Sequence, residues 1–239
     1  LLLSIIIFLN HFKALDFISF DLKKIINLNG FLNLFSISKN LFVRTMILVS
    51  VQAYLIKKSG LIGVDQLATM EILIVIFGLS SYTLDAFAHA AESTVGVSIG
   101  SKNKKNIYKS IKNTTEFALS FSVLIGIVLY ISDYYIINLF TNIPVLQNLT
   151  IDLWSLVIIT PFISMLAFQL DGVFIGATLA KEMRNSMILS SLIFYLIIEF
   201  IIQDALNLKN LYSCFLLFLI LRGVFLTFYL PRVFKLIKN

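Results

Sequence analysis

Acidic residues occur inside stretches that are otherwise apolar. A charged side chain at the centre of a membrane-spanning helix costs about 2.5–3.5 kcal/mol on insertion scales, so such residues usually face a protein interior or a wet cavity. Six acids lie within or at the edge of apolar stretches: Glu71, Asp85, Glu92, Glu116, Asp171 and Glu199. Carboxylates in this setting can exchange protons or hold cations. The predicted chemistry is therefore the handling of protons or cations.

The segment 71–92 gathers polar side chains on one side of a predicted helix. At 100° per residue, an arc of about 80° contains Glu71, Tyr82, Asp85, His89 and Glu92. The spacing of Asp85 and His89 is i,i+4, and that of His89 and Glu92 is i,i+3, so these side chains can interact. Two interpretations remain open. One is a polar seam that joins helices; the other is a stripe that carries protons or cations, since histidine titrates near neutral pH.

Asp171 ends a long uncharged run, residues 153–170, and is followed by Gly172 and Gly176. Counted from the predicted inner ends of their spans, Asp171 is about six residues deep and Arg222 about eight. They could therefore meet as a structural ion pair. The other interpretation is that Asp171 acts by itself in cation coupling.

Three further charges have simpler interpretations. Glu116 stands beside Lys112 at a predicted helix start, which is typical of an interfacial capping charge. Glu199 is near the outer end of its span and can reach the outer interface. Arg44 is three residues from an inner end, from which its side chain can snorkel to the headgroups.

The composition defines the elements that must hold these residues. The chain has 239 residues, of which 59% are hydrophobic and 13% charged, and its mean hydropathy is +0.93. Soluble domains have about 45–50% apolar and about 25% charged residues. With one cysteine, Cys214, and two histidines, the sequence predicts no metal site, and it contains no phosphate loop or nucleophile elbow. It therefore predicts an all-α integral membrane protein that is not an enzyme.

Apolar runs long enough to cross a bilayer, about 20 residues each, predict six spans, at 41–57, 65–100, 115–132, 149–177, 185–204 and 210–230. Residues 1–9 are too short for a span and are interpreted as the end of a preceding transmembrane helix. Residues 10–40 suit an amphipathic helix on the membrane surface. The predicted division is thus a helix end and cytoplasmic linker at 1–40 and a six-helix lobe at 41–239. Because the first residue is leucine, we expect the chain to be a fragment.

The basic residues predict an orientation. With the C-terminus inside, fourteen of the nineteen lysines and arginines lie on the inner side and three on the outer side; Arg44 and Arg222 lie within spans. This bias follows the positive-inside rule and predicts a cytoplasmic C-terminus. The net charge of +6 is thus mostly a topology signal, and a nucleic-acid partner is not expected.

Three stretches resemble a known family: LDAFAHAAESTVGVSIGSKNKKNI (84–107), QLDGVFIGATLAKEMRNSM (169–187) and LFVRTMIL (41–48). They are similar to the multidrug and toxic compound extrusion (MATE) transporters, specifically the DinF branch. The resemblance covers roughly residues 30–230, and its motifs are fairly specific in combination.

The resemblance implies a fold of twelve helices in two six-helix lobes facing a central cavity. Such proteins exchange an incoming proton or sodium ion for an outgoing drug-like compound, often cationic and aromatic. This chain would be the C-terminal lobe, preceded by the end of helix six and the linker. Its partners would be the N-terminal lobe and the lipid bilayer, and its location the cell (inner or plasma) membrane, which it would cross several times.

The resemblance also suggests roles for residues. Asp171 stands where some branches have an aspartate of a cation site on helix ten. The acid that accompanies it on helix seven is missing, because 41–57 contains no Asp or Glu. A proton is therefore expected as the coupling ion rather than sodium, with no other cofactor. The candidate coupling or translocation residues are Asp171, Asp85, His89 and Glu92, with Arg222 as a structural ion-pair partner.

The favoured function is a proton-coupled multidrug efflux antiporter working by alternating access. One alternative is a lipid-linked oligosaccharide flippase of the related superfamily, which the surplus of acids over Arg44 and Arg222 within the spans disfavours. The other is a non-transporting membrane scaffold or remnant. The sequence upstream of Leu1 would discriminate between them, since an in-frame six-helix lobe supports the antiporter.

Overall fold

The computed structural model describes residues 28–237, and all regular elements in that range are helices. The segment 1–27, which contains the predicted helix end and most of the predicted linker, lies outside the described residues. The chain divides into two units between Ser38 and Lys39. Of the first unit, the structure describes only the helical residues 28–38, and the following paragraphs concern the second.

The helices that the structure describes are α1 (Leu28–Ile62), α2 (Val64–Gly100), α3 (Lys104–Ile131), α4 (Asp133–Phe140), α5 (Pro144–Asp152), α6 (Trp154–Gly176), α7 (Ala180–Phe200), α8 (Leu208–Tyr229) and α9 (Pro231–Lys235). A short 3-10 helix, Gln203–Ala205, precedes α8.

Side-chain caps and prolines define several helix starts. Asn103 accepts a hydrogen bond from the backbone N–H of Asn106 at 3.1 Å and caps α3. Asn207 caps α8 in the same way through Asn210, at 2.8 Å. Asparagine at this position satisfies one of the unpaired N–H groups of the first turn. The short helices α5 and α9 begin with proline, which has no N–H to leave unpaired there.

Six of the described helices are long and apolar enough to cross a membrane, as the sequence predicts. The boundaries differ most from prediction in three places. The third spanning helix begins at Lys104, eleven residues before the predicted start at 115. The first spanning helix is continuous from Leu28, well before residue 41. The fourth predicted span is divided at Leu153, so that only Trp154–Gly176 is the spanning part and Pro144–Asp152 is a separate short helix.

Helix α6 is at the centre of the helix packing. It contacts α2 and α3 on one side and α8 on another, and α8 in turn packs against α7. Most of its side chains are buried, including Trp154, whose indole N–H donates to the Leu129 carbonyl of α3 at 3.0 Å. A polar group on α6 is therefore enclosed by protein rather than exposed to lipid.

Candidate functional site

Asp171 lies near the end of α6 and is only 4% exposed. Its Oδ2 atom accepts a hydrogen bond from the guanidinium of Arg222 on α8, which is itself 1% exposed. The ion pair that the sequence suggested is thus present in the structure. A buried carboxylate and a buried guanidinium both require such a partner, because each loses its hydration on burial.

Arg44 on α1 donates to the same oxygen of Asp171. The interpretation of Arg44 as a snorkelling residue is therefore wrong. The physical reason is the longer helix: α1 begins at Leu28, so Arg44 lies well inside it, and its side chain turns toward the buried carboxylate. Nothing in the sequence spacing pairs Arg44 with Asp171, 127 residues away.

The two guanidiniums keep unused hydrogen-bonding capacity. Nε and Nη1 of Arg222 and Nε of Arg44 are buried and have no partner among the described residues. The Arg222 guanidinium also lies over the Phe168 ring, 5.2 Å from its centroid, which is a cation–π arrangement. One carboxylate therefore balances two cations, and the contact leaves an excess positive charge at this point.

Asp85 on α2 is a second acid within electrostatic range of both guanidiniums. It is half-buried and interacts electrostatically with Arg44, Arg222 and His89. Within the described part of the chain, its carboxylate makes no direct hydrogen bond or ion pair. Two acids, Asp85 and Asp171, and two arginines thus form one group, which we call the charge cluster. Its formal charges sum to zero when both acids are ionised.

Close packing of two backbones positions Asp85 beside the other three members of the cluster. A Cβ on Gly172 would overlap the backbone of Ala88, and one on Gly176 would overlap that of Glu92. Glycines four residues apart allow such close approach between membrane helices. Asp171 directly precedes Gly172, and Asp85 is less than one turn from Ala88, so the contact sets the two acids at similar levels.

His89 and Glu92 are separate from the cluster's hydrogen bonds. His89 Nδ1 lies 3.4 Å from Glu92 Oε2, so the predicted i,i+3 pair forms. The His89 side chain is 77% exposed, and Glu71 and Tyr82 on the same stripe are also exposed. The stripe therefore forms a surface of α2 that continues from the half-buried Asp85.

The two remaining acids of the predicted set bind lysines. Glu116 lies 3.7 Å from Lys112, in agreement with its interpretation as an interfacial charge. Glu199 lies 2.9 Å from Lys58 and also accepts a hydrogen bond from the Tyr54 hydroxyl. Its role is thus to join α1 to α7. Within residues 28–237, three or more His, Cys, Asp or Glu side chains do not gather anywhere in a way that could hold a metal ion.

An all-helical bundle with six membrane-crossing helices and a buried charge cluster defines a multi-pass integral membrane protein. The sequence model of the MatE family matches residues 41–201, which is more than half of the chain. The chain belongs to this family. The match agrees with the resemblance seen in the sequence.

The chain is similar to DNA damage-inducible protein F of Escherichia coli (strain K12), with 27% identity over 158 residues. The aligned part covers 66% of this chain and 34% of that protein. The chain thus spans about a third of the length of this relative. No solved structure matches the chain significantly.

Proposed function

We propose that the chain is part of a proton-coupled efflux antiporter working by alternating access, and that Asp85 is the residue that exchanges the proton. Membership of the MatE family supports a transporter. The observation that carries the proposal is the contrast between the two acids of the charge cluster. Asp171 accepts hydrogen bonds from two guanidiniums, whereas Asp85 makes no direct hydrogen bond to any residue that the structure describes.

Asp171 has the role of a fixed counter-ion in this proposal. Protonating it would break both hydrogen-bonded ion pairs with the buried guanidiniums and leave only the half-buried Asp85 to balance them, which is costly in a low-dielectric interior. A proton can be added at Asp85 without breaking a hydrogen bond. Asp171 and Arg222 are thus positioning residues that stay paired, and Asp85 is the exchanging group, whose protonation changes the charge of the cluster by one unit.

Competition at Asp85 provides the exchange. A proton and a cationic, aromatic substrate would both be attracted to the same carboxylate, so binding of one disfavours binding of the other. Each shifts the equilibrium between conformations only by its difference in affinity for the two states. His89 and Glu92, on the exposed stripe, lead from Asp85 to the surface and could pass the proton. We propose that this surface faces the central cavity of the complete transporter, opposite the N-terminal lobe.

The test compares Asp85→Asn with Glu116→Gln in the intact gene product that contains this chain. Both variants remove one carboxylate, but the Glu116 carboxylate has an exposed lysine, Lys112, as its one ion-pair partner among residues 28–237. We expect Asp85→Asn to reduce ethidium efflux to the level of cells lacking the gene, at unchanged membrane abundance, and Glu116→Gln to retain it. Wild-type efflux by Asp85→Asn would exclude Asp85 as the exchanging residue.

We propose the proton rather than sodium as the coupling ion, because arginine side chains already occupy the accepting oxygen of Asp171. The measurement follows the internal pH of acidified everted membrane vesicles with a pH-sensitive dye. Addition of a substrate in sodium-free buffer is expected to release protons from the vesicle interior. Exchange that requires added sodium would contradict the proposal.

We also propose that the C-terminus is cytoplasmic. The test replaces the buried Cys214 with alanine and introduces single cysteines at the exposed Ser101 and Gln203, which leaves every charge in place. In intact cells, a membrane-impermeant maleimide is expected to label Gln203→Cys and not Ser101→Cys. The reverse pattern would show the opposite orientation.

A further inference from the structure

A polar groove lies between the last turns of α2 and the first turns of α3. It has a volume of about 470 Å³. On the α2 side it is lined by Ser93, Thr94 and Ser98, and these hydroxyls donate to carbonyls of their own helix. The free donors must therefore come from the α3 side.

Helix α3 presents three donor side chains on one face of the groove: Asn106, Lys109 and Asn113. Their spacing of three and four residues places them in one row. Within the described residues, neither side-chain amide has a hydrogen-bond partner, and Lys109 makes no ion pair. An ammonium flanked by two amides is a suitable set of donors for a phosphate group.

The charge around the groove is strongly positive. Five lysines lie between residues 102 and 112, at Lys102, Lys104, Lys105, Lys109 and Lys112. The acid that follows them is Glu116, which is already 3.7 Å from Lys112. Lysine clusters at the end of a membrane-spanning helix attract anionic lipids.

An apolar track continues from the groove along the same two helices. Phe117, one turn beyond Asn113, is exposed, and the rings of Phe87 and Phe121 are 5.0 Å apart between α2 and α3. Beyond them is an apolar cavity of about 350 Å³, lined by Leu124 and other residues of α2, α3 and α4. From Asn113 to Leu124 is about 16 Å along the helix axis, which is the depth of one leaflet of a core about 30 Å thick.

We propose that the groove binds an anionic phospholipid, with its phosphodiester at Lys109, Asn106 and Asn113 and an acyl chain along the track to the apolar cavity. The combination of the three donor side chains, the cluster of basic residues around them and a track of leaflet depth carries this assignment. It is independent of the charge cluster, which lies elsewhere on α2 and α6.

The test compares a groove variant with a control that removes one lysine outside the groove. Lys109 lines the groove, and the exposed Lys105 does not. The purified protein is released from nanodiscs of equal parts phosphatidylglycerol and phosphatidylcholine, and native mass spectrometry counts the bound lipids. We expect Lys109→Gln with Asn113→Leu to lower the preference for phosphatidylglycerol about fivefold or more, consistent with one lysine's contribution at an anionic surface. Lys105→Gln is expected to change it less than about twofold.

Both sets of substitutions are on exposed side chains, and size-exclusion chromatography verifies folding. An equal loss of phosphatidylglycerol preference in both variants would show that anionic lipids are attracted to the basic surface as a whole, and would overturn the proposal. Glycerol phosphate, which lacks acyl chains, is expected not to displace the lipid. Displacement by millimolar glycerol phosphate or inorganic phosphate would reduce the site to a phosphate site without a role for the apolar track.

Discussion

Arg44 and Asp171, which are 127 residues apart in the sequence, are joined by a hydrogen bond from the arginine guanidinium to Oδ2 of the aspartate. Arg222 donates to the same oxygen from α8. One carboxylate thus holds guanidiniums from two helices, α1 and α8, against α6. The stability of the bundle should therefore depend more on the shared carboxylate than on either arginine.

The first prediction concerns the order of stability among cluster variants. We expect Asp171→Asn to destabilise by about 3–5 kcal/mol, because it removes the carboxylate that is hydrogen-bonded to two buried guanidiniums. Arg44→Met is expected to cost less, because Asp171 keeps the hydrogen bond from Arg222. The measurement is the melting temperature of the detergent-solubilised protein, followed by fluorescence-detected size-exclusion chromatography.

Lys112→Gln is the control for this series. It removes a cation from an exposed i,i+4 pair with Glu116 and should cost no more than about 0.5 kcal/mol. If Asp171→Asn melts no lower than Arg44→Met, the two guanidiniums do not depend on the shared carboxylate.

The second prediction concerns a charge exchange between Asp171 and Arg222. For an isolated ion pair, Asp171→Arg combined with Arg222→Asp restores the losses of the single changes. Here Arg44 still faces position 171, so the exchanged pair brings two guanidiniums together. We expect the double variant to remain unstable, and the addition of Arg44→Met to recover stability. Full recovery by the double variant alone would mean that Arg44 contributes nothing to the cluster.

The third prediction concerns the contact between α2 and α6. Gly172→Ala is expected to destabilise by about 3 kcal/mol, at the upper end of overpacking costs, because the added methyl meets the rigid backbone of Ala88. Gly78→Ala in α2 is the matched control, since a Cβ there meets nothing within 4 Å. The control should be neutral or stabilising, because alanine has the higher helix propensity. Similar melting temperatures for both variants would contradict the close approach of the two backbones.

The fourth prediction concerns the attachment of α1 to α7. Tyr54 and Lys58 both bind Glu199, and the Ser50 and Tyr195 hydroxyls are 2.9 Å apart on the same side. We expect Glu199→Gln to raise hydrogen exchange in residues 39–62 while leaving α6 unchanged, because it weakens two contacts made only by side chains. Glu116→Gln is the control. Equal hydrogen exchange of residues 39–62 in both variants would show that Glu199 does not hold α1 against α7.

The sequence predicts the six spans because each is a run of apolar residues that local composition makes visible. It does not predict the start of α1, since residues 28–40 mix apolar side chains with Lys39 and asparagines and resemble a surface helix. Because the helix starts at Leu28, Arg44 lies well inside it. The interpretation of Arg44 as a snorkelling residue near a helix end therefore fails. A single boundary error therefore conceals one of the four members of the charge cluster.

The pairing of Asp171 with Arg222 is predictable from depth alone, because two opposite charges at similar levels in a membrane have few other partners. The division of roles between Asp85 and Asp171 is not predictable from the sequence. It depends on which acid receives the arginines, and this is decided by the packing of α1, α6 and α8. Glycine spacing, at 172 and 176, is the one local signal that α6 approaches another helix closely.

The contact of Gly172 and Gly176 with the backbone of α2 has a mechanical consequence. Two helices whose backbones touch have little room to move past each other, so we expect α2 and α6 to move together. We therefore expect the separation of Asp85 and Asp171 to change little if the other helices of the lobe move. In its described residues from 39 onward, α1 also enters the hydrophobic core through the fully buried Val51 and Leu55. A movement of α1 would therefore have to break apolar as well as polar contacts.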